Sequence, residues 1–296
     1  MSTAQQAARV VKELQKDDWK VLRALESSIE KGEFTPFSYL AHESRLNAEE
    51  VEFRLQRLDR FDLVRSTPRG HALSWAGYDA LALKGLVDKE LISGMGLSIG
   101  VGKESDVFDV ASDKGENLAI KFYRIGRISF RDTKRKRAYR DSGHQQWLLV
   151  SSAAAEREFE ALQKLYPLKV AVPHALARDR HAILMERIEG ALLVHLPESP
   201  RAVSMLRKIL INVSKAYKGG LINADLSEFN VLRDGTNIFL IDWPQAVDVS
   251  HQNAETLLRR DLHNILSFFK RRHGIECNLE AALEYVKGRT KKLEFS

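Results

Sequence analysis

The chain has 296 residues, 44% of them apolar and 29% charged, with a formal net charge of +6. That length allows two domains and a sizeable core, and the composition excludes a disordered chain. No run approaches the ~18 uncharged apolar residues a membrane span needs, the N-terminal twenty residues hold no apolar signal core, and Cys277 stands alone, which excludes a disulfide framework or a cysteine-rich zinc site. A reduced cytoplasm is the expected setting.

Residues 17–92 predict a compact helical unit. Trp19, Val21, Leu22, Leu25 and Ile29 recur at helical spacing and Gly32 supplies a stop. Phe37, Leu40 and Ala41 fit a second short helix. Asn47 then caps a third, with Glu49 and Glu50 in its first turn and Val51, Leu55 and Leu58 on its buried face. Residues 63–65 and 71–73 form a hairpin around Thr67-Pro68-Arg69-Gly70, and a fourth helix runs from Trp75 to Glu90. Three helices and a hairpin make a winged helix-turn-helix. Its arginines (Arg54, Arg57, Arg60, Arg65, Arg69) would either touch nucleic-acid phosphates or serve as ordinary solvated charges. Glu49, Glu50 and Glu52 argue against sequence-specific DNA readout.

Ser93-Gly94-Met95-Gly96 marks the domain boundary, giving a winged-helix domain with its connecting helix over 1–92 and a second domain over 93–296. In LSIGVGKESDVFDV (97–110), Gly100 and Gly102 allow close backbone approach, so that amides can meet phosphate oxygens. Against G-x-G-x-x-G-x-V, Ser105 occupies the third glycine position and Val107 fits the last; the Walker pattern does not fit. Leu118-Ala119-Ile120-Lys121 ends an apolar strand in a lysine suited to pairing phosphate. Such a lysine needs a carboxylate, and the helix expected over 152–166 offers Glu158, with Glu156 and Glu160 as solvated alternatives.

Between them the charge concentrates. From Arg124 to Arg140 there are eight basic residues (Arg124, Arg127, Arg131, Lys134, Arg135, Lys136, Arg137, Arg140) against one Asp, a local +7, so the other 279 residues sum to −1. A polyanion is the natural partner, and the basic loop between Lys121 and Glu158 is the one expected disordered segment. Ser129, Thr133 and Ser142 lie in or beside it, where phosphate would cancel positive charge.

Ala182 to Ile188 predicts a buried strand opening into Glu189-Gly190, where the Glu186 carbonyl and Ile188 amide either have the alternation to bind adenine or belong to a plain edge strand and turn. A helix over 203–218 leads to Leu221-Ile222, then Asp225, and Asn230 after four intervening residues. A strand pair around Asp234-Gly235 leads to Asp242, and a final helix begins at Arg259. Asp-x4-Asn followed by a second Asp suits magnesium-dependent phosphoryl transfer: one carboxylate orients the attacking oxygen, while an amide and another carboxylate hold metal.

GYDALALKGL (77–86), GVGKESDVF (100–108), GRISFR (126–131), DLSEFN (225–230) and IDWPQ (241–245) together resemble the RIO family of atypical serine kinases, in its winged-helix-bearing second subfamily. The resemblance implies an α+β fold in which a two-lobed kinase-like domain follows the winged helix. Its N-lobe would cover about 93–185 and its C-lobe about 189–296, with no peptide-substrate subdomain. It implies Asp225 as catalytic aspartate, Asn230 and Asp242 as metal ligands, and Asp242 as the residue of a phosphoaspartate intermediate. Lys121, paired with Glu158, would contact the ATP phosphates, Gly100, Gly102, Lys103, Ser105 and Val107 would form the phosphate loop, and Glu186 and Ile188 would bind adenine. The cofactors implied are ATP and Mg2+ or Mn2+. The implied role is a kinase or ATPase, with autophosphorylation, in cytoplasmic maturation of the small ribosomal subunit, where the partners are precursor RNA and proteins. Lys121, Asp225 and Asp242 are expected to converge on one triphosphate. One departure stands out: the histidine usual two residues before the catalytic Asp is Asn223, from which reduced order at Asp242 is expected. Competing readings are a small-molecule phosphotransferase of the aminoglycoside or choline type and a nucleotide-sensing, non-enzymatic winged-helix module.

Overall fold

A computed structural model describes residues 1–126 and 144–296. The chain divides into two compact units, Met1–Ala155 with Ala177–Leu184, and Glu156–Leu176 with Met185–Ser296.

The first unit opens with a helix absent from the sequence reading, α1 (Thr3–Val10), begun by a reciprocal Ser2–Gln5 capping box. Helices α2 (Lys16–Glu26), α3 (Phe37–Ser44) and α4 (Ala48–Arg60) follow, then the hairpin β1 (Val64–Thr67) and β2 (Gly70–Leu73). This is the expected winged helix. Asn47 caps α4 as read, its Oδ1 accepting the Glu50 N–H at 2.8 Å. The helix α5 (Trp75–Asp88) begins at Ser74, whose hydroxyl accepts the Gly77 N–H at 3.0 Å. Gly77 is required by packing: a Cβ there would collide with the Leu63 carbonyl oxygen, and one at Gly85 with the Asp179 carboxylate.

Strands β3 (Gly94–Val101), β4 (Ser105–Ala111) and β5 (Leu118–Tyr123) come next, then the long helix α6 (His144–Leu165) and strands β6 (Ala175–Asp179) and β7 (Ala182–Glu186). The five strands form one sheet in the order β3-β4-β5-β7-β6. Glycine-rich β3 slips register against β4 between Met95 and Gly100, an irregularity that a poor side-chain complement permits. Helix α6 starts eight residues earlier than expected. Its apolar stripe extends back through the fully buried Leu148, which joins the core of the first unit.

That core is continuous. Leu22, Leu25, Val51, Leu55 and Leu58 of the winged helix and Phe108, Ile120, Phe122 and Leu184 of the sheet belong to a single buried cluster. The winged helix and the sheet therefore share one buried core across the Ser93-Gly94-Met95-Gly96 segment.

The second unit holds β8 (Ala191–Leu192), α7 (Ala202–Lys218), β9 (Leu221–Ile222), β10 (Val231–Asp234), β11 (Asn237–Leu240), β12 (Val247–Asp248), α8 (Ala254–His273) and α9 (Leu279–Val286). Strands β10 and β11 form the expected tight hairpin, Asp234 opposite Asn237, with Gly235 at φ +56°. Ile209, Leu210, Leu262, Ile265 and Phe269 are buried where α7, α8 and α9 pack together. Helix α9, begun by an Asn278 cap, was not read from the sequence. No helix among the described residues is long and apolar enough to cross a membrane.

Candidate active site

Strand β9 delivers the chain into a loop whose backbone is held from several directions. Ala224 adopts φ +61° and Asp242 φ +68°, left-handed conformations that cost non-glycine residues on the order of 1 kcal/mol each and persist only when neighbours over-determine them. The neighbours are identifiable. Asp261 on α8 accepts the Ala224 N–H at 2.8 Å and the Leu226 N–H at 3.2 Å. Arg260 donates to the Ala224 carbonyl, and Asn264 donates to the Leu226 carbonyl at 3.2 Å. One face of α8 thus fixes both peptides flanking Asp225.

Asn230 closes the loop by donating Nδ2–H to the Asp225 carbonyl at 2.9 Å, and its own carbonyl accepts the Ile241 N–H at 3.0 Å. That second bond ties the Asn230 end of the loop to the segment carrying Asp242, which lies two residues past β11 rather than at its end. Asn223, only 4% exposed, donates to the Asp242 carbonyl at 3.0 Å and accepts the Asp225 N–H at 3.2 Å. The departure at this position therefore does not leave Asp242 untethered, as the missing histidine suggested. Trp243, fully buried, extends the anchoring: its amide N–H donates to Glu158 on α6 at 3.0 Å.

Burial, and next the charge of Asp242, raises the Asp225 carboxyl above the usual carboxylate range, while Arg260 draws it back. Two carboxylates near enough to repel, with the Asn230 amide beside them, form an oxygen-rich donor set. Among the described residues there is no group of three His, Cys, Asp or Glu able to hold a metal. A hard cation here would thus take one or two carboxylates and complete its shell with amide, water and phosphate oxygens. That is how magnesium is usually bound, so the residues fit the group.

The remaining expected residues fall as follows. Lys121 lies on β5 opposite Val107 on β4, is buried, and sets its ammonium 4.9 Å from the Tyr123 ring centroid. Gly102 donates its N–H to the Ser105 carbonyl at 2.8 Å, closing the turn that exposes Lys103; Gly100 and Ser105 are half-buried. Glu158 is buried and not at a rim, with Phe159 only half-buried, and Glu156 and Glu160 are exposed as expected. Glu186 ends β7 and its N–H donates to the His174 carbonyl at 2.8 Å, while Ile188 lies beyond the strand.

Arg124 requires a correction. It is 3% exposed and pairs with Asp79 at 2.8 Å and Asp106 at 3.3 Å, so its charge is neutralised inside the first unit and is not offered to RNA. Arg127, Arg131, Lys134, Arg135, Lys136, Arg137 and Arg140, with Ser129, Thr133 and Ser142, lie outside the described residues. On the winged helix, Arg54 and Arg57 pair with the fully buried Asp18 at 3.4 and 3.2 Å, which favours a structural role for both.

Sequence reasoning missed Asp261, Arg260 and Asn264. Only Asp261 left a signal: it interrupts the apolar stripe Leu258, Leu262, Ile265 at an inward position.

Fold and loop define a protein-kinase-like phosphotransferase. The family model described as "RIO domain" matches residues 106–282, and that described as "Rio2, N-terminal" matches 11–89. The RIO-type serine/threonine-protein kinase Rio2 of Methanocaldococcus jannaschii is 40% identical over 265 residues, covering 86% of this chain and 98% of that protein. The serine/threonine-protein kinase rio2 of Dictyostelium discoideum is 35% identical, covering 89% of this chain but only 52% of its own length. Among solved structures, the Rio2 kinase–ADP/Mg2+–phosphoaspartate complex of Chaetomium thermophilum superposes with a TM-score of 0.82 at 30% identity, covering 96% of this chain and 94% of that one. The chain belongs to the RIO family of serine/threonine kinases, in its Rio2 branch.

Proposed function

We propose that the chain is an ATP- and magnesium-dependent serine/threonine kinase or ATPase that acts in the cytoplasm on precursors of the small ribosomal subunit and autophosphorylates. The observation that carries the catalytic part is the loop in which Asp225, Asn230 and Asp242 are braced by Asn223, Asp261 and Glu158. The Chaetomium relative, described as an ADP/Mg2+–phosphoaspartate complex, supports the assignment of nucleotide and metal.

In this reading Asp225 orients the attacking oxygen and takes up its proton, a role that its raised affinity for protons suits. Asn230 and Asp242 hold the metal, which when bound neutralises charge on the phosphates. Asp242 would also serve as phosphate acceptor in the ATPase branch: its carboxylate oxygen bonds the γ-phosphorus as the bond to the β-phosphate oxygen breaks and ADP leaves, and water then cleaves the aspartyl phosphate, releasing inorganic phosphate and a proton and restoring the carboxylate. Lys121, Gly100, Gly102, Lys103, Ser105 and Val107 are assigned to the nucleotide phosphates, and Glu186 and Ile188 to adenine. The seven basic residues between Arg127 and Arg140 are assigned to RNA phosphates, a contact that weakens as salt rises.

Asp225→Ala tests the reading. Phosphoryl transfer from radiolabelled ATP, to the chain itself or to water, is expected to fall by a factor on the order of 10²–10⁴ with nucleotide affinity retained. Unchanged turnover would overturn the role. Transfer to small alcohols without autophosphorylation would instead favour a small-molecule phosphotransferase.

A further inference from the structure

We infer that Asn223 is the positioning residue that crosslinks the catalytic aspartate to the metal-site aspartate, and that its two amide arms do separable work. The inference rests on the proposed roles of Asp225 and Asp242. One short planar side chain joins both backbones: Nδ2–H to the Asp242 carbonyl at 3.0 Å, and Oδ1 from the Asp225 N–H at 3.2 Å.

The surrounding bonds show why both arms are needed. The Ala224 and Leu226 N–H groups are taken by Asp261, which leaves the Asp225 N–H between them to another acceptor, and Asn223 provides it. On the other side Asp242 sits at φ +68°, and the donor arm holds its carbonyl in that orientation. The peptide that follows this left-handed residue is held through both its groups, the carbonyl by Asn223 and the Trp243 N–H by Glu158, which restrains the direction in which the Asp242 carboxylate leaves the backbone. At 4% exposure, water has little access to replace either bond. A carboxamide also carries donor and acceptor at every pH, whereas an imidazole beside two carboxylates would change its own charge. Asn223 therefore sets the approach of Asp242 to a divalent cation through its donor arm and the seating of Asp225 through its acceptor arm.

Asn223→Asp separates the arms. It preserves size and the acceptor for Asp225, but sets a carboxylate oxygen against the Asp242 carbonyl where the donor stood. The full chain is titrated with Mg2+ in the presence of a fluorescent ADP analogue, and binding without Mg2+ is measured alongside. Asn223→Asp is expected to raise the Mg2+ midpoint by roughly tenfold, the lower end for loss of a group supporting a metal ligand, with Mg2+-free nucleotide affinity unchanged. Asn223→His, which restores a donor, is expected to lie closer to wild type than Asn223→Ala. A wild-type midpoint in Asn223→Asp, or identical midpoints for the His and Ala variants, would overturn the inference. If the Asp variant does not fold, the His and Ala pair decides in the same sense. Mg2+-dependent binding by wild type that the variants leave unmoved defeats this inference alone. Wild type that does not bind the nucleotide at all defeats the functional reading with it.

Discussion

Asp261 holds the loop around Asp225 through two backbone N–H groups, as many bonds as Asn223 makes there. Burial first of all pushes its carboxyl up to about 7, although the two amides it accepts favour its ionised form. The sign follows: with the folded value above the ordinary 3.8, the folded chain holds this proton between about pH 4 and 7. The group's favourable contribution is present below that window and is lost as pH rises through about 7. Asp261→Ala leaves the Ala224 and Leu226 N–H groups without their acceptor, at about 1–3 kcal/mol for each buried amide. Thermal denaturation and ATP turnover should therefore fall together, while Asp261→Asn, which keeps one acceptor oxygen, falls between and loses the pH dependence. That Asp225, Asn230 and Asp242 belong to one loop system was legible, because a pattern suited to phosphoryl transfer constrains both residue type and spacing. Arg260 and Asn264 were not, because a polar residue on a helix says nothing of which distant carbonyl it will meet.

Among elements, those announced by local chemistry formed where the pattern placed them. Asn47 starts α4, Gly235 turns β10 into β11, and a helix begins at Trp75 as read. Asn47→Ala is expected to lower stability by about 1 kcal/mol, read as a small drop in Tm with activity intact. Gly77→Val is expected to be far more damaging, since its branched side chain would be driven into the Leu63 carbonyl. A Tm within a degree or two of wild type would refute that packing. Boundaries were less legible. Helix α6 ran eight residues further back, and α1 and α9 went unread, because short amphipathic stretches become helical only when a partner surface covers them.

At the scale of the molecule, the first unit is joined by charge as well as by apolar contact. Asp79 of α5 pairs with Arg124 and, at 2.7 Å, with Nε2 of His181, whose ring stacks on Tyr78 at 4.5 Å. Burial lowers the His181 pKa against the pull of Asp79, and its buried Nδ1 has no hydrogen-bond partner to receive a second proton's bond. For Asp79, burial acts to raise the pKa, but Arg124 and His181 outweigh it and the net direction is down. Both folded values are depressed, so both groups contribute stability at neutral pH that is lost on acidification, His181 first as pH falls below about 6.5. Set against the opposite pull of Asp261, His181 therefore contributes a decline in the Tm of the full chain as pH falls below about 6.5. His181→Gln, which keeps a neutral donor for Asp79, should flatten that decline; an unchanged slope would exclude His181 as its source.

The sequence by itself determined the class of chemistry and most of the fold. Phosphoryl transfer demands aspartate, asparagine and aspartate in order, and caps, glycines and apolar periodicity are local signals that a chain carries without its tertiary partners. Tertiary structure alone decided how charges were used. Arg124 and the arginines that follow it in the basic stretch are chemically alike in one dimension, yet Arg124 meets Asp79 and Asp106 in a site closed to water. It likewise turned Asn223 from a missing histidine into a bridge, because whether an amide satisfies two backbones depends on distances of 3.0 and 3.2 Å that only the folded loop creates.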